Sequence, residues 1–279
     1  MSRTLVDGAG SDCLTLLPFA TGDRERGVQL RWHDGGSLPS PDALSEVLDA
    51  IVSEARSDRV RLVETRVVTR DVDRDASLTT ARASATRAAL SALGFTLDGG
   101  RDEFRLALDS DALSAWLAPL AARDPFQWSA LSPSGALSFE RAASAMQRVS
   151  VGDPSSSPVE DAAMALREYL ADASFTNDPS GVQVGALDGV DAAFVMTQVN
   201  PANGWSRITY MGVAPSHRGR GLGAFVHARG LSLARALGGR LYVGGTSTTN
   251  APMLALFRKL ETTPFRAMER WTLTLDSLA

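Results

Sequence analysis

One stretch constrains the fold of this chain more than any other. From Tyr210 to Gly223 it reads Tyr-Met-Gly-Val-Ala-Pro-Ser-His-Arg-Gly-Arg-Gly-Leu-Gly. It closes a β run that begins at Trp205, and Pro215 with Ser216 breaks that run. A basic, glycine-rich turn follows, then a segment with Leu222, Val226, Leu233 and Leu237 on one helical face. Strand, turn and helix start together make an anion cradle. The first N–H groups of a helix lack internal partners, and the helix dipole adds partial positive charge at the same end. Glycines let the backbone approach a phosphate closely, and Arg218 and Arg220 add full charges.

A bare strand-to-helix turn, a P-loop and a Rossmann turn share part of this pattern. A P-loop needs a lysine in the turn, and the sole lysine of the chain is Lys259. A Rossmann turn wants an acidic residue about 20 positions on, ending a second strand. The next β run, Arg240–Thr246, has none. The turn resembles motif A of the GNAT acyltransferases, Arg/Gln-x-x-Gly-x-Gly/Ala, met by Arg218, Gly221 and Gly223 with Val213-x-Pro215 upstream.

That resemblance implies that the backbone of Arg218, Gly219, Arg220, Gly221, Leu222, Gly223 and Ala224 holds the pyrophosphate of acetyl-CoA or another acyl-CoA. It implies that Met211, Gly212 and Val213 pair with the pantetheine arm, and that the Val213 N–H polarises the thioester carbonyl. It also implies a bond from Asn250, at the start of the last helix, to the same arm; Asn250 reads equally as an N-cap.

Composition narrows the class. The chain has 279 residues, 44% hydrophobic and 22% charged, with a net charge of −4, which argues against general nucleic-acid binding. Its single cysteine, Cys13, allows no intrachain disulfide and no cysteine-based metal site, and reads as an inert, part-buried side chain. No His-Glu-x-x-His or Gly-x-Ser-x-Gly pattern points to a metal or a hydrolase. No apolar run reaches the length of a membrane span, and the first residues do not read as a signal peptide. The expectation is a cytoplasmic, bacterial-type protein without a membrane partner.

Along the chain, β runs are expected at Leu14–Ala20, Val28–His33 and Arg59–Val68, with a helix opening at Ser40-Pro41 and carrying Leu44, Val47, Leu48, Ile51 and Val52. Thr69–Thr80 reads as a loop, Ala81–Leu93 as a helix closed by Gly94, and Phe95–Leu108 as a hairpin turning at Asp98-Gly99-Gly100. A short helix covers Leu113–Ala122. Gly152–Pro158 is the most linker-like stretch, and Ser157–Glu160 reads as a capping box opening a helix to about Ala171. Strands Val182–Leu187 and Val190–Val199 join at Asp188-Gly189. After the cradle helix come a strand at Arg240–Thr246, a helix at Ala251–Leu260 and a strand at Ala267–Leu275.

This order predicts a mixed α/β fold: a GNAT-like domain over residues 158–279, a connector over 123–157, and a partial or degenerate GNAT-like domain over 1–122. The degenerate copy rests on a faint repeat. Ala55-Arg56 then Arg61-Leu62 matches Ala234-Arg235 then Arg240-Leu241 at equal separation. The first copy lacks an Arg-x-x-Gly-x-Gly turn, and its loop reads about a dozen residues longer. The N-terminal half would then serve packing, substrate shaping or dimerisation.

Acid and base are where the chain departs from the family. A tyrosine often lies seven residues after the asparagine, beside the cofactor; here that position is Phe257, which has no proton to give. A glutamate often lies six residues before the strand-end valine; here that position is Arg207, and its same-face neighbours are expected to be Thr209 and Met211. Tyr210 and Tyr242 are the candidate substitutes, with Glu261, Glu269, His217 and His227 behind them, and water can relay the proton instead. Trp205 and Trp128 are loop-adjacent candidates for substrate contact. The implied function is acetyl transfer from acetyl-CoA to an amine of a small molecule or peptide in a ternary complex. The alternative is a non-catalytic acyl-CoA-binding regulatory module. The helix Val159–Ala171 and the loop Thr176–Gly181 are expected to shape the acceptor site.

Overall fold

The structure, a computed structural model, describes residues 3–6, 12–22, 25–32, 41–57, 62–132, 137–153, 161–172, 175, 178–262 and 264–275. The first elements are β1 (Arg3–Val6), β2 (Asp12–Gly22), β3 (Glu25–Trp32), α1 (Pro41–Ser57), β4 (Leu62–Asp71), α2 (Ala76–Ala92) and β5 (Thr96–Ala107). There follow α3 (Asp111–Ala121), β6 (Gln127–Ala130), α4 (Phe139–Ser150), α5 (Ala162–Ala171), β7 (Val182–Leu187), β8 (Val190–Val199) and β9 (Trp205–Val213). The chain closes with α6 (Gly223–Ala236), β10 (Leu241–Ser247), α7 (Ala251–Lys259) and β11 (Pro264–Thr274). The expected capping box at Ser157–Glu160, Arg61 of the repeat, Thr176 and the side chain of Cys13 lie outside the described residues.

Two compact units divide this order: Met1–Asp102 with Pro264–Ala279, and Glu103–Thr263. Compactness thus divides the chain inside β5, whereas the sequence predicts a connector at 123–157.

In the first unit the strands run β1-β2-β3-β4-β11-β5. β3 and β4 are parallel, and β4 and β11 antiparallel from Leu62↔Thr274 to Asp71↔Arg266. Leu44, Leu48 and Val52 recur every fourth residue and form one buried stripe of α1. They close on Val63 and Val67 of β4, Leu90 of α2, Phe95, and Trp271 of β11. The Trp271 indole N–H donates to Glu269 Oε2 at 3.0 Å, and Arg87 grips that carboxylate with two bonds of 2.8 and 2.7 Å.

Two expectations change here. The stretch 69–80 is not a loop: β4 runs to Asp71, and α2 starts at Ala76, where Asp75 accepts from the Leu78 N–H at 2.8 Å. Charge and threonine content mask a strand end and a capped helix start. Thr96–Ala107 is one strand, not a hairpin, because Gly99 takes φ +130° within it and the chain does not fold back. With the loop reduced to 72–75, the segment α1-β4-α2-β5 corresponds element by element to α6-β10-α7-β11. Ala55 and Ala234 are both buried near their helix ends, and Leu62 and Leu241 each open the next strand. The strand after α7, β11, belongs to the first unit, while β5 from Glu103 onward belongs to the second.

In the second unit the order is β5-β10-β9-β8-β7-β6. β9 and β10 are parallel, joined through α6; β8 pairs antiparallel with β9, β7 with β8 and β6 with β7. Alternation along β8 sorts the two faces. Phe194 and Met196 join Ala142, Met146 and Val149 of α4 and Leu166 and Tyr169 of α5, while Ala193 and Val195 join Val226 and Leu233 of α6. Helix α4 is an element that the sequence reading lacks, although Ser138 caps it at the Arg141 N–H. Helix α5 begins at Ala162 with Asp161 as its cap, accepting from the Met164 N–H at 2.7 Å.

The place of β11 can be checked. Trp271→Ala empties a buried ring from the core of the first unit and should cost about 3–5 kcal/mol. Urea unfolding should show stability falling by that amount, with Trp271→Phe losing much less.

Candidate functional site

The site starts from a bulge. β8 and β9 keep register from Ala193↔Val213 to Met196↔Tyr210 and resume at Thr197↔Ile208, so Thr209 is an extra residue on β9. A bulge bends the strand and re-aims its side chains. β9 pairs with β10 only at Leu241↔Trp205 and Tyr242↔Ser206, and beyond that point β10 has no register partner on β9. The ladder between the two parallel strands therefore has a gap toward the end of β9.

The β8–β9 register tells which backbone groups face this gap. The Ala214 N–H donates to the Ala192 carbonyl at 2.8 Å. Ala193 and Val213 are therefore a non-hydrogen-bonded pair, and so are Val195 and Met211 two residues away. In such pairs the N–H and C=O of each residue point away from the partner strand. The N–H groups of Val213 and Met211 thus point to the β10 side.

The turn follows directly. A short 3-10 turn, Pro215–His217, ends at Arg218, and Gly219 and Gly221 take φ +76° and +75° with nothing within 4 Å of where a Cβ would stand. The N–H groups of Gly219, Arg220, Gly221, Leu222 and Gly223 have no hydrogen-bond partner among the described residues. Those of Arg218 and Ala224 are taken, by the carbonyls of Pro215 and Gly221. Helix α6 opens at Leu222 without a side-chain cap. Five free donors at a positive helix end, with open space before them, suit an anionic group carrying several oxygens.

The two arginines of the turn differ. Arg220 is exposed and makes no hydrogen bond or ion pair among the described residues. Arg218 turns back: Nε donates to the Val213 carbonyl, Nη1 to that of Gly152 and Nη2 to that of Val149, each at 2.9 Å.

The bulge also changes which side chains sit beside Arg207. Met211 packs on the α6 face, so it is not a same-face neighbour. Tyr210 takes its place on the α4–α5 face, where its hydroxyl donates to Asp153 Oδ2 at 3.0 Å. Arg207 donates to Gln198 Oε1 at 2.8 Å and Asp172 Oδ2 at 2.9 Å, with its guanidinium 4.0 Å from the Phe175 ring centre. Gln198 is fully buried, also accepts from Thr209 and donates to the Tyr169 carbonyl. Burial pushes the Tyr169 phenol up, and its hydroxyl donates to the Thr197 carbonyl.

Other sequence candidates lie elsewhere. Tyr242 and Phe257 are buried in the core with Leu231 and Phe104, and Phe257 stacks on Phe104 at 4.0 Å. Asn250 caps α7 by accepting from the Met253 N–H at 3.1 Å. Glu269 is held by Arg87 in the first unit, and its carboxyl lies below the usual range for that reason. His217 bonds Ser216, and Glu261 follows α7 at φ +54°. Trp128, on the edge strand β6, donates to Asp124, and Trp205 starts β9 at the end remote from the cradle. Sequence reasoning missed Val149, Gly152 and Asp153, because it did not recognise α4; Ser138 followed by Ala142, Met146 and Val149 was the available signal.

Residues 148–261 match the model of the acetyltransferase (GNAT) family. The chain therefore carries a GNAT-family segment over those residues. The matched segment spans the end of α4, β7 to β10, the cradle and α7, so the GNAT assignment rests on the site just described. Solved GNAT structures share the fold across nearly the whole chain. A tandem GNAT protein from the clavulanic acid biosynthesis pathway, solved without AcCoA, is 18% identical with a TM-score of 0.61, covering 98% of this chain and 82% of its own. A GCN5-related N-acetyltransferase from Sphaerobacter thermophilus is 15% identical with a TM-score of 0.66, covering 98% and 80%. One from Kribbella flavida is 16% identical with a TM-score of 0.61, covering 99% and 91%. No curated protein matches the chain by sequence. Among the described residues no helix is long and apolar enough to cross a membrane, and no cluster of His, Cys, Asp and Glu could hold a metal ion.

His227, on α6, gives a pH test. It is fully buried against Trp116, Tyr242 and Phe257, neither ring nitrogen has a partner among the described residues, and burial pushes the imidazole down to about 4. The folded value lies below the ordinary 6.5, so the unfolded chain binds the extra proton between them. Stability should fall as pH drops from about 6.5 toward 4, by about 3 kcal/mol. In denaturant titrations across this range His227→Leu should flatten that limb and raise stability at neutral pH.

Proposed function

We propose that this GNAT protein is an N-acyltransferase that carries an acetyl group from acetyl-CoA to an amine in a ternary complex. Family membership supports acyl transfer in general. The observation that carries the finer reading is the run of five N–H groups, from Gly219 to Gly223, without a partner among the described residues, next to a gap in the strand ladder faced by the N–H of Val213.

The residues fit the co-substrate. The five N–H groups and Arg220 would hold the pyrophosphate. Met211, Gly212 and Val213 would line the pantetheine arm, with Asn250 at the head of α7 as a further partner through the amide nitrogen that its capping bond leaves unused. The co-substrate supplies an acyl group activated as a thioester. The chain orients that carbonyl and, through the Val213 N–H, stabilises the negative charge that develops on its oxygen. The departing proton meets no carboxylate at the Arg207 position, so Tyr210 with Asp153, or water, is left to take it. The N-terminal half has no counterpart of the glycine turn in its sequence and is proposed to serve packing, substrate shaping or dimerisation. The proposed catalytic segment is 158–279, completed by Val149, Gly152 and Asp153 at and just after the end of α4, and 1–122 is the proposed degenerate copy.

A second reading, a non-catalytic acyl-CoA-binding regulatory module, is favoured by two positions. Arg207 is locked to Gln198 and Asp172, and Phe257 is stacked in the core. Neither can move a proton.

Calorimetric titration of acetyl-CoA, with ATP and NAD as controls, should show selective micromolar binding at a single site per chain. Gly221→Asp, which puts a Cβ and a negative charge into a left-handed position of the cradle, should weaken binding at least tenfold, about 1.4 kcal/mol or more. Unchanged binding would remove the cradle from the proposal. Turnover on a panel of amines then separates the transferase from the binding module.

A further inference from the structure

We infer that Arg218 is a positioning residue, which latches the end of α4 to the end of β9 and so sets the cofactor turn, rather than a charge offered to a phosphate. The inference rests on the reading of this turn as an acyl-CoA cradle.

The geometry argues for a latch. A guanidinium presents its N–H groups in a fixed planar fork. Here the fork is spent on three carbonyls from two segments far apart in sequence, Val213 on one side and Val149 with Gly152 on the other. The bond to Val213 closes a ring around the 3-10 turn, with the Arg218 N–H on the Pro215 carbonyl as a second tie. It fixes the strand end that faces the gap relative to the five free N–H groups that begin one residue after Arg218. The bonds to Val149 and Gly152 fix the same unit to α4. Two further features join the same segments. Val149 lies so close over Gly212 that a Cβ there would meet its side chain at 3.1 Å, and Tyr210 donates to Asp153. Gly152 holds φ +66°, which turns its carbonyl into the fork without a side chain in the way. Arg220, exposed and without a partner among the described residues, is the arginine left to meet an anion.

A latch and a charge give opposite results for a conservative change. Lysine keeps the charge and cannot reproduce three bonds in a planar fork. Acetyl-CoA is titrated into Arg218→Lys, Arg218→Met, Arg218→Ala and Arg220→Met at low and high salt, with folding checked by thermal unfolding. A latch predicts that Arg218→Lys and Arg218→Met bind at least tenfold more weakly than the parent and equally so, with its salt dependence kept, whereas Arg220→Met flattens that dependence. It also predicts that millimolar guanidinium, not ammonium, restores binding to Arg218→Ala. Parent-like affinity in Arg218→Lys, or a flattened salt dependence in Arg218→Met, overturns it. Hydrogen exchange supplies a readout that needs no ligand. Arg218→Met should speed exchange at residues 149–153, and unchanged protection there overturns the latch even if acetyl-CoA binds. Absence of binding by the parent protein with faster exchange in Arg218→Met would instead sink the proposed function and leave the latch standing.

Discussion

The separation of β9 from β10 is the constraint on which the rest of the second unit depends. Two parallel strands joined by a helix would ordinarily pair along their length and satisfy each other's backbone groups. Here one extra residue, Thr209, bends β9 after its first two pairs with β10. The N–H groups of Met211 and Val213, which have no β10 partner among the described residues, are the useful product, because exposed N–H groups in a fixed strand are directional donors that need no reorganisation. The cost is a strand edge without a partner. It is contained by tight packing on both sides of β9, with Val149 of α4 over Gly212 and Ile208 pressed against Gly230 of α6. A side chain at either glycine would force its helix away from the strand.

The same economy shows in the terminal strands. α1-β4-α2-β5 and α6-β10-α7-β11 follow one plan, yet each plan's final strand contributes to the other compact unit, wholly for β11 and from Glu103 for β5. β4 receives β11 along nine register positions, and Phe104 of β5 stacks on Phe257 of α7 in the second unit. This explains why a single cut in sequence could not mark the division. A boundary search looks for a break in composition, whereas the chain passes from one unit to the other inside regular β structure. The linker-like prolines and serines near 154–158 fall inside the second unit, Glu103–Thr263, and not at its edge.

What could be read from the sequence followed what has a local cause. The Asp188-Gly189 turn, the cap at Asn250 and the Gly219/Gly221 turn each depend on residues within a few positions, and the structure has Asp188 and Gly189 at φ +52° and +79°, as a tight hairpin turn requires. Resemblance supplied the identity of the cradle. Position-counting along β9 fails, because a bulge is a misfit between two strands and leaves no mark in one of them. Counting from Arg207 in steps of two puts Met211 beside it, when Thr209 and Tyr210 are its neighbours. The resemblance places Phe257 at the site and residue type offers Tyr242 as a substitute, but both are buried in a core built with Phe104, a residue from another part of the chain. Arg218 reads as a free charge as long as the helix whose carbonyls it binds goes unrecognised.

Under the proposed function, the positions Arg207 and Phe257 ask whether transfer can proceed without a dedicated acid and base. A guanidinium does not accept a proton at any working pH, and Arg207 is further tied to Asp172 and Gln198. General acid–base catalysis contributes typically about 10²–10⁴-fold, whereas correct placement of two reactants reaches effective molarities of about 10⁵–10⁸ M. One preorganised donor such as the Val213 N–H adds about 10²–10³. Most of the rate enhancement of such a transferase would therefore reside in the gap, the cradle and the proposed latch. The absent acid and base shift the burden to the amine, which must reach the site already neutral or lose its proton to water or to the Tyr210–Asp153 pair. Such an enzyme would discriminate among acceptors by their basicity as much as by their shape. Transfer would run fastest to amines that are largely unprotonated at the working pH, and it would rise with pH for the rest.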